Sequence, residues 1–344
     1  MPNKMIALRR RIGGLYALLV AANIGVWLWA LAVFHDHPIQ LGTALLAYGF
    51  GLRHAVDADH IAAIDNVTRK LMQDGQRPVG VGFFFAIGHS AVVLIAAVTI
   101  ALTATALSRF EAFRAVGGLI ATGVSATFLF TIATINLVIL KGVWRTFRQV
   151  RNSGVYVEED LDMLLANRGF LARLLKPLFR LITQSWHMAP LGFLFGLGFD
   201  TATEVSLMGL SAAQASNGLS LAGVLVFPAL FAAGMSLVDT TDGVLMLGAY
   251  EWAFVMPIRK LYYNITITLI SALVAIAIGG IQTLSLLSDK LHLSGGAWDG
   301  ISLVGKHFGS LGYAIIGLFV IAWLVSYAVY RWKRFDEIEV RTAD

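Results

Sequence analysis

Gly51-Leu-Arg-His-Ala-Val-Asp-Ala-Asp-His60 is the stretch of this chain on which the interpretation of its fold depends. Residues 41–50 before it and 61–64 after it are apolar, so the stretch lies in a segment suited to lipid. Ionisable groups inside a membrane span are costly and usually functional. Imidazoles with carboxylates are a ligand set for a divalent transition metal. The stretch therefore indicates a membrane carrier for a metal ion, and its ionisable residues are Arg53, His54, Asp57, Asp59 and His60.

The composition supports a membrane protein. Of the 344 residues, 57% are hydrophobic and 14% are charged, with a mean hydropathy of +0.73, whereas soluble domains are about 25% charged. The net charge of +5 mainly reflects basic loops in such a protein, so it does not favour a nucleic-acid partner. The chain has no cysteine, which excludes disulfides and thiolate metal sites.

The hydropathy pattern predicts an all-α polytopic membrane protein with about eight transmembrane helices, forming a single transporter domain over residues 1–344. Each apolar segment is near the length that a bilayer requires. The basic start is followed by a segment long enough to span, which favours a retained first helix over a cleaved signal. The predicted spans are 12–34, 41–64, 79–106, 115–140, 189–213, 219–249, 261–287 and 311–330.

The basic residues predict the orientation of these spans. Cytoplasmic segments carry the excess of Lys and Arg, and a cytoplasmic N-terminus places 21 of the 26 basic residues inside. We therefore expect both termini to be cytoplasmic. The exceptions are Arg53 within a span and, on the outside, Arg109, Arg114, Lys290 and Lys306.

The longest polar connection, residues 141–187, is predicted to be a cytoplasmic loop. Within it, leucines recur at helical spacing after an acidic cluster, with Arg168, Arg173, Lys176 and Arg180 largely between them. This pattern is typical of an amphipathic helix on an anionic membrane surface. A small cytoplasmic cap fits the pattern equally well. The outer segment 288–310 is expected to be a plain loop.

The second span places its ligand candidates together if it is a regular helix. His54, Asp57 and His60 then share one face about 120° wide, while Asp59 points elsewhere and is suited to orienting an imidazole. Arg53 lies four residues before Asp57 and is able to neutralise an empty site. A purely structural ion-pair network is the alternative, and buried ion pairs are weak stabilisers.

Three other spans add candidates. His89 in the third span offers a further imidazole. Asp200 and Glu204 in the fifth span, and Asp239 and Asp242 in the sixth, form pairs that each share a helix face, with no basic residue in their own span. Such carboxylates need cations or protons, so they suggest a transport path, although capping of broken helices explains them too. The dipeptide Gly51-Leu52 in the second span recurs as Gly196-Leu197 in the fifth span, which is compatible with an inverted repeat.

Two further function classes fit the same residues. An intramembrane metal-dependent hydrolase or acyltransferase is one, because the spacing of His54 and Asp59 matches the His-x4-Asp pattern of glycerolipid acyltransferases. A metal sensor or scaffold is the other. The stretch Gly300-Ile-Ser-Leu-Val-Gly305-Lys306-His307 resembles a nucleotide-binding loop, but His307 stands where Ser or Thr must hold magnesium. No ATP requirement is therefore expected.

Four motifs make the chain resemble the NiCoT family of nickel/cobalt transporters. The hallmark, a histidine followed four residues later by Asp-His, lies in the second span, and Ala91 is a small departure from the family pattern. The motifs are Arg53-His-Ala-Val-Asp-Ala-Asp-His60-Ile, Gly88-His-Ser-Ala-Val-Val93, Leu197-Gly-Phe-Asp-Thr-Ala-Thr-Glu204 and Gly234-Met-Ser-Leu-Val-Asp-Thr-Thr-Asp242-Gly.

The resemblance implies a secondary transporter that imports Ni²⁺, Co²⁺ or both, and it implies no enzymatic activity and no cofactor besides the transported ion. It implies a multi-pass protein of the bacterial cytoplasmic (inner) membrane, whose partners are a divalent transition-metal ion and the lipid bilayer. The metal candidates are His54, Asp57, Asp59, His60 and His89. The transport-path candidates are Arg53, Asp200, Glu204, Asp239 and Asp242.

Overall fold

The computed structural model describes residues 2–102, 106–153, 155–156, 182–198, 202–253, 257–306, 308–333 and 341–342. Eleven α-helices and one short 3-10 helix, Ser185–His187, account for nearly all of this part of the chain. The α-helices are α1 Pro2–Phe34, α2 Pro38–His54, α3 Ala58–Gln73, α4 Val81–Leu102, α5 Ala106–Ser153, α6 Met188–Gly196, α7 Ala202–Ser216, α8 Leu221–Ala253, α9 Pro257–Lys290, α10 Ala297–Lys306 and α11 Phe308–Trp332.

The prediction of an all-α polytopic membrane protein is confirmed. Among the described residues, six helices are long and apolar enough to cross a membrane: α1, α4, α5, α8, α9 and α11. The remaining two predicted spans correspond to helix pairs, α2 with α3 and α6 with α7. Two spans that look continuous in the sequence are therefore broken helices. Gly51-Leu52 lies in the last turn of α2 and Gly196-Leu197 lies at the end of α6, so each pair comes shortly before a break.

The break in the second span lies at residues 55–57. Asp57 has an extended backbone, with φ −68° and ψ 147°, and stands at the N-cap of α3. Asp is favoured at this position, and Asp59 in the first turn suits the positive end of the helix dipole. The carboxylate of Asp57 makes no capping hydrogen bond, so it is available to other side chains. The premise of one regular helical face was therefore wrong, although the residues on it do converge.

Glycines bring the central helices into backbone contact. A Cβ atom on Gly82 of α4 would lie 1.8 Å from the carbonyl oxygen of Asp239 in α8, and one on Gly88 would lie 1.9 Å from that of Ala189 in α6. Small residues of this kind allow close helix packing in membranes. As a result, α4 lies against both α6 and α8, with more than half of its apolar length buried.

The outer helices face lipid and also cover the break. Only 17% of the apolar window of α1 and of α11 is buried, as expected for helices at the periphery. Gly312 near the start of α11 nevertheless meets the break directly, because a Cβ there would lie 1.4 Å from the Val56 carbonyl oxygen. The last span therefore packs directly against the break in the second span.

The connections refine two expectations. Residues 141–153 of the predicted cytoplasmic loop continue α5, while residues 157–181, with the amphipathic segment, lie outside the described part. The loop and its segment therefore stay predictions. The outer segment 288–310 is not a plain loop, since it contains α10. Two short strands, Val155–Tyr156 and Arg341–Thr342, pair in parallel, which places the end of α5 beside the C-terminal segment, as a shared cytoplasmic side requires.

Candidate metal centre

Three histidines from three helices meet at the break. His54 is the last residue of α2, His60 lies in the first turn of α3, and His89 lies in α4. All three are buried, and one ring nitrogen from each lies within 4.8 Å of the others. The Nε2 atoms of His54 and His89 are 3.0 Å apart. We call these three residues the imidazole cluster.

Carboxylates hold two of the rings by the Nδ1 atom. Nδ1 of His54 lies 3.0 Å from Oδ2 of Asp57, and Nδ1 of His60 lies 3.3 Å from both oxygens of Asp239. A carboxylate at Nδ1 keeps the ring proton there and leaves Nε2 with a free lone pair. Nε2 of His60 is buried and has no hydrogen-bond partner. The rings are therefore oriented for Nε2 to bind something else.

A carboxylate from the fifth span completes the cluster. Glu204, in the first turn of α7, places Oε1 2.9 Å from Nε2 of His89 and 3.7 Å from Nε2 of His54. The neighbouring Thr203 hydroxyl lies 3.3 Å from Nδ1 of His54. Because a helix N-terminus stabilises negative charge, the broken fifth span supports an ionised Glu204 beside the imidazoles.

Aromatic rings close the cluster on its apolar sides. The ring centre of Phe85 lies 4.8 Å from that of His60, and the ring centre of Phe231 lies 5.4 Å from that of His54. Such walls exclude water, and the low local dielectric strengthens polar interactions inside. A multivalent cation with the right ligands is therefore held more strongly here than at an exposed site.

One guanidinium reaches the cluster through Asp57. An Arg53 nitrogen donates to Oδ1 of Asp57 at 2.8 Å, while the opposite oxygen faces His54. The Arg53 side chain is 35% exposed, against 3% for Asp57, and its guanidinium carbon lies 5.7 Å from the ring centre of Tyr313 in α11. Arg53 thus covers Asp57 on the more accessible side of the site.

The five metal candidates separate into three groups. His54, His60 and His89 come together, and Asp57 contacts one of these rings. Asp59 instead accepts hydrogen bonds from its neighbour's backbone, the His60 N–H at 3.0 Å, and from Gln282 of α9 at 3.3 Å. No described contact joins its carboxylate to an imidazole ring.

The transport-path candidates also differ in position. Glu204 and Asp239 touch the imidazole cluster. Asp242 lies one helical turn beyond Asp239 in α8, and its Oδ2 atom is buried without a hydrogen-bond partner. Asp200 lies outside the described residues.

Sequence reasoning missed the aromatic walls and a polar group farther along α3. Phe85 and Phe231 carry no sequence signal that separates them from ordinary packing residues. Asp65 and Arg69 do carry one, since both are charged, yet they follow the predicted end of the second span and were assigned to a connection. In the structure both are almost completely buried.

Comparisons with known proteins identify the family of this chain. The sequence model of a family described as "High-affinity nickel-transport protein" (NicO) matches residues 40–329. The chain is 61% identical to the high-affinity nickel transport protein of Cupriavidus necator, over 97% of this chain and 95% of that protein. It is 44% identical to the high-affinity nickel-transport protein NixA of Helicobacter pylori, over 90% and 94%. It is 45% identical to the cobalt transport protein NhlF of Rhodococcus rhodochrous, over 92% and 91%.

No solved structure matches the chain. The family match covers both broken spans and every described residue of the candidate metal centre. It confirms the resemblance seen in the four motifs, and it favours transport over the hydrolase and acyltransferase alternatives. The chain belongs to the NicO family of high-affinity nickel-transport proteins, and it is a multi-pass membrane transporter, not an enzyme.

Proposed function

We propose that this protein imports Ni²⁺, Co²⁺ or both across the bacterial cytoplasmic membrane, with the imidazole cluster and Glu204 as the recognition site. The observation that carries the proposal is the buried meeting of three imidazoles with this carboxylate, where two broken spans face each other. The named relatives include nickel and cobalt transporters, so both ions are candidate substrates. Bacterial relatives support the choice of membrane.

The geometry suits one transition-metal ion. Nε2 of His54, Nε2 of His89 and Oε1 of Glu204 form a triangle with sides of 3.0, 2.9 and 3.7 Å. A circle through its corners has a radius of about 1.9 Å, so an ion about 2.1 Å from each atom sits just off the plane. Nε2 of His60 supports the site as a further ligand. Mixed imidazole and carboxylate ligands favour nickel and cobalt over magnesium and calcium.

The charges suit a divalent cation. Asp57, Glu204 and Asp239 each touch an imidazole, and Arg53 neutralises one of them. With neutral imidazoles, the set carries −2, which a divalent ion balances. In this proposal Asp57 and Asp239 orient rings through Nδ1 and do not bind the ion directly.

The membrane potential is a sufficient driving force. Two positive charges moving inward through 100 mV release about 4.6 kcal/mol, which is roughly a thousandfold in concentration. In our proposal the ion passes Arg53 from outside, loses water to the imidazole cluster, and leaves past Asp239 and Asp242 towards the cytoplasm.

The test is uptake of radioactive Ni²⁺ into sealed proteoliposomes with an inside-negative potential, in the presence of Co²⁺ or Mg²⁺. We expect saturable uptake that Co²⁺ inhibits and Mg²⁺ does not. His60→Ala should abolish uptake because it removes an unpartnered Nε2 from the site. His35→Ala, at an exposed histidine in the connection after α1, is the matched control and should transport normally. Wild-type uptake by His60→Ala would place the recognition site elsewhere.

A further inference from the structure

A second buried polar cluster lies beyond the imidazole cluster, towards the predicted cytoplasmic side. Asp65 of α3, five residues after His60, is completely buried. One of its carboxylate oxygens accepts a hydrogen bond from the Tyr250 hydroxyl of α8, and the other accepts one from the Ser271 hydroxyl of α9 at 2.6 Å. These partners are neutral, so they solvate the carboxylate without cancelling its charge.

A second carboxylate faces this group and lacks a partner. Gly243, the residue after Asp242 in α8, packs against Ile64, the residue before Asp65 in α3, since a Cβ atom on Gly243 would lie 3.4 Å from the Ile64 side chain. Asp242 and Asp65 therefore stand on facing turns of these two helices. The Oδ2 atom of Asp242 is buried and makes no hydrogen bond. Since a buried carboxylate oxygen without a partner is strongly unfavourable, the arrangement is incomplete in the absence of a cation.

One fixed cation lies close by but does not fill that role. Arg69, one turn after Asp65 on α3, is 1% exposed, and its charge acts on Asp65. It donates to the side-chain oxygen of Asn66 at 2.9 Å, while its Nε and remaining terminal nitrogen are buried without partners. When both carboxylates are ionised, they and the one guanidinium leave a net charge of −1. A divalent cation is thus attracted, but less strongly than at the imidazole cluster.

We propose that Asp65, Asp242, Tyr250 and Ser271 form a second, oxygen-lined cation station that receives the metal ion from the imidazole cluster. This inference rests on the proposed function, since it describes where the ion goes next. Carboxylate and hydroxyl oxygens bind nickel and cobalt less tightly than imidazoles do, and they suit harder ions such as Mn²⁺. The ion therefore passes from a selective site to a weaker one, from which it dissociates.

Manganese probes the station directly. Mn²⁺ binding is followed by loss of the electron paramagnetic resonance signal of free Mn²⁺, using the purified full chain with His60→Ala, which impairs the imidazole cluster. We expect this variant to bind Mn²⁺, and we expect binding to fall at least about tenfold when Asp65→Asn is added. Ser288→Ala is the control and should leave binding unchanged, because this buried hydroxyl lies about 25 Å from Ser271 along α9 and donates to the Leu293 carbonyl instead. Equal Mn²⁺ binding with and without Asp65→Asn overturns the proposal.

Measurements of Ni²⁺ uptake and of equilibrium Ni²⁺ binding distinguish this inference from the proposed function. In the otherwise native chain, Asp65→Asn should keep equilibrium Ni²⁺ binding within about twofold and slow uptake about tenfold or more, whereas His60→Ala should lose both. If Asp65→Asn takes up Ni²⁺ at the wild-type rate, the proposed station is wrong, while the proposed recognition site is unaffected. If Asp65→Asn does not fold, Ser271→Ala and Tyr250→Phe keep the charge and carry the test. Slower uptake with retained Ni²⁺ binding supports the station, and normal uptake by both variants overturns it.

Discussion

At the scale of single residues, the site depends on which nitrogen of each ring is occupied. Asp57 and Asp239 contact the Nδ1 atoms of His54 and His60, and in the proposed site the Nε2 atoms bind the ion. Neither role is readable from spacing, because a carboxylate near a histidine is equally able to bind the metal itself. The structure distinguishes carboxylates that touch imidazoles from Asp59, which does not.

This distinction leads to a prediction for two matched substitutions. Asp239→Asn should raise the KM for Ni²⁺ uptake by about 10- to 100-fold, because it weakens the contact that orients His60. Asp59→Asn should change the KM by less than about threefold, because the Asp59 carboxylate accepts only from neutral donors. Uptake kinetics in proteoliposomes measure both. An equal effect of the two substitutions would mean that Asp59 acts on the ion directly.

At the scale of elements, the two broken spans and the glycine contacts assemble the site. The break at residues 55–57 turns the chain so that His54 and His60 face each other, with ring centres 4.7 Å apart. The first turn of α7 brings Glu204 to the same point. Broken helices of this kind are common at the substrate sites of transporters.

The contact between α11 and the break in the second span leads to a prediction for the glycines of α11. Gly312→Ala places a methyl group against the Val56 carbonyl, and we expect a loss of stability of about 1–3 kcal/mol together with slower uptake, since Asp57 is the next residue. Gly317→Ala on the same helix meets nothing within 4 Å and should change stability by less than about 0.5 kcal/mol. Thermal unfolding in detergent and Ni²⁺ uptake measure the pair. Unchanged unfolding and uptake in Gly312→Ala would contradict the contact.

At the scale of the whole molecule, the described part of the chain contains six continuous helices long enough to span a membrane and two broken spans, and the imidazole cluster is buried among them. Lipid-facing helices such as α1 surround the buried α4. The parallel strand pair joins the segment after α5 to the C-terminal segment on one side. This arrangement agrees with the distribution of basic residues.

The absence of cysteine makes the predicted orientation directly measurable. Single cysteines are introduced at two exposed positions, Asp36→Cys after α1 and Gln76→Cys after α3. A membrane-impermeant maleimide applied to intact cells should label position 36, whereas position 76 should be labelled only after permeabilisation. The reverse pattern would invert the predicted orientation and the proposed direction of the path.

The sequence by itself determined the class of molecule, the approximate spans and most of the polar residues of the site. These features are local. The length of an apolar segment predicts a membrane span, and the basic residues beside it predict which end faces the cytoplasm. An ionisable residue inside an apolar segment indicates a functional site. The hallmark motif around His54 and His60 also determined the family resemblance, which the comparisons confirm.

Only the tertiary structure decided how those residues divide their roles. His89, Glu204 and Asp239 lie far from His54 along the chain, and their contacts depend on which helices pack together and how closely glycines let the backbones approach. The break in the second span depends on the same packing, since residues 55–57 contain no proline or glycine that would predict it. Asp65 was missed for this reason: a charge after an apolar segment looks like a loop until neighbouring helices are seen to bury it.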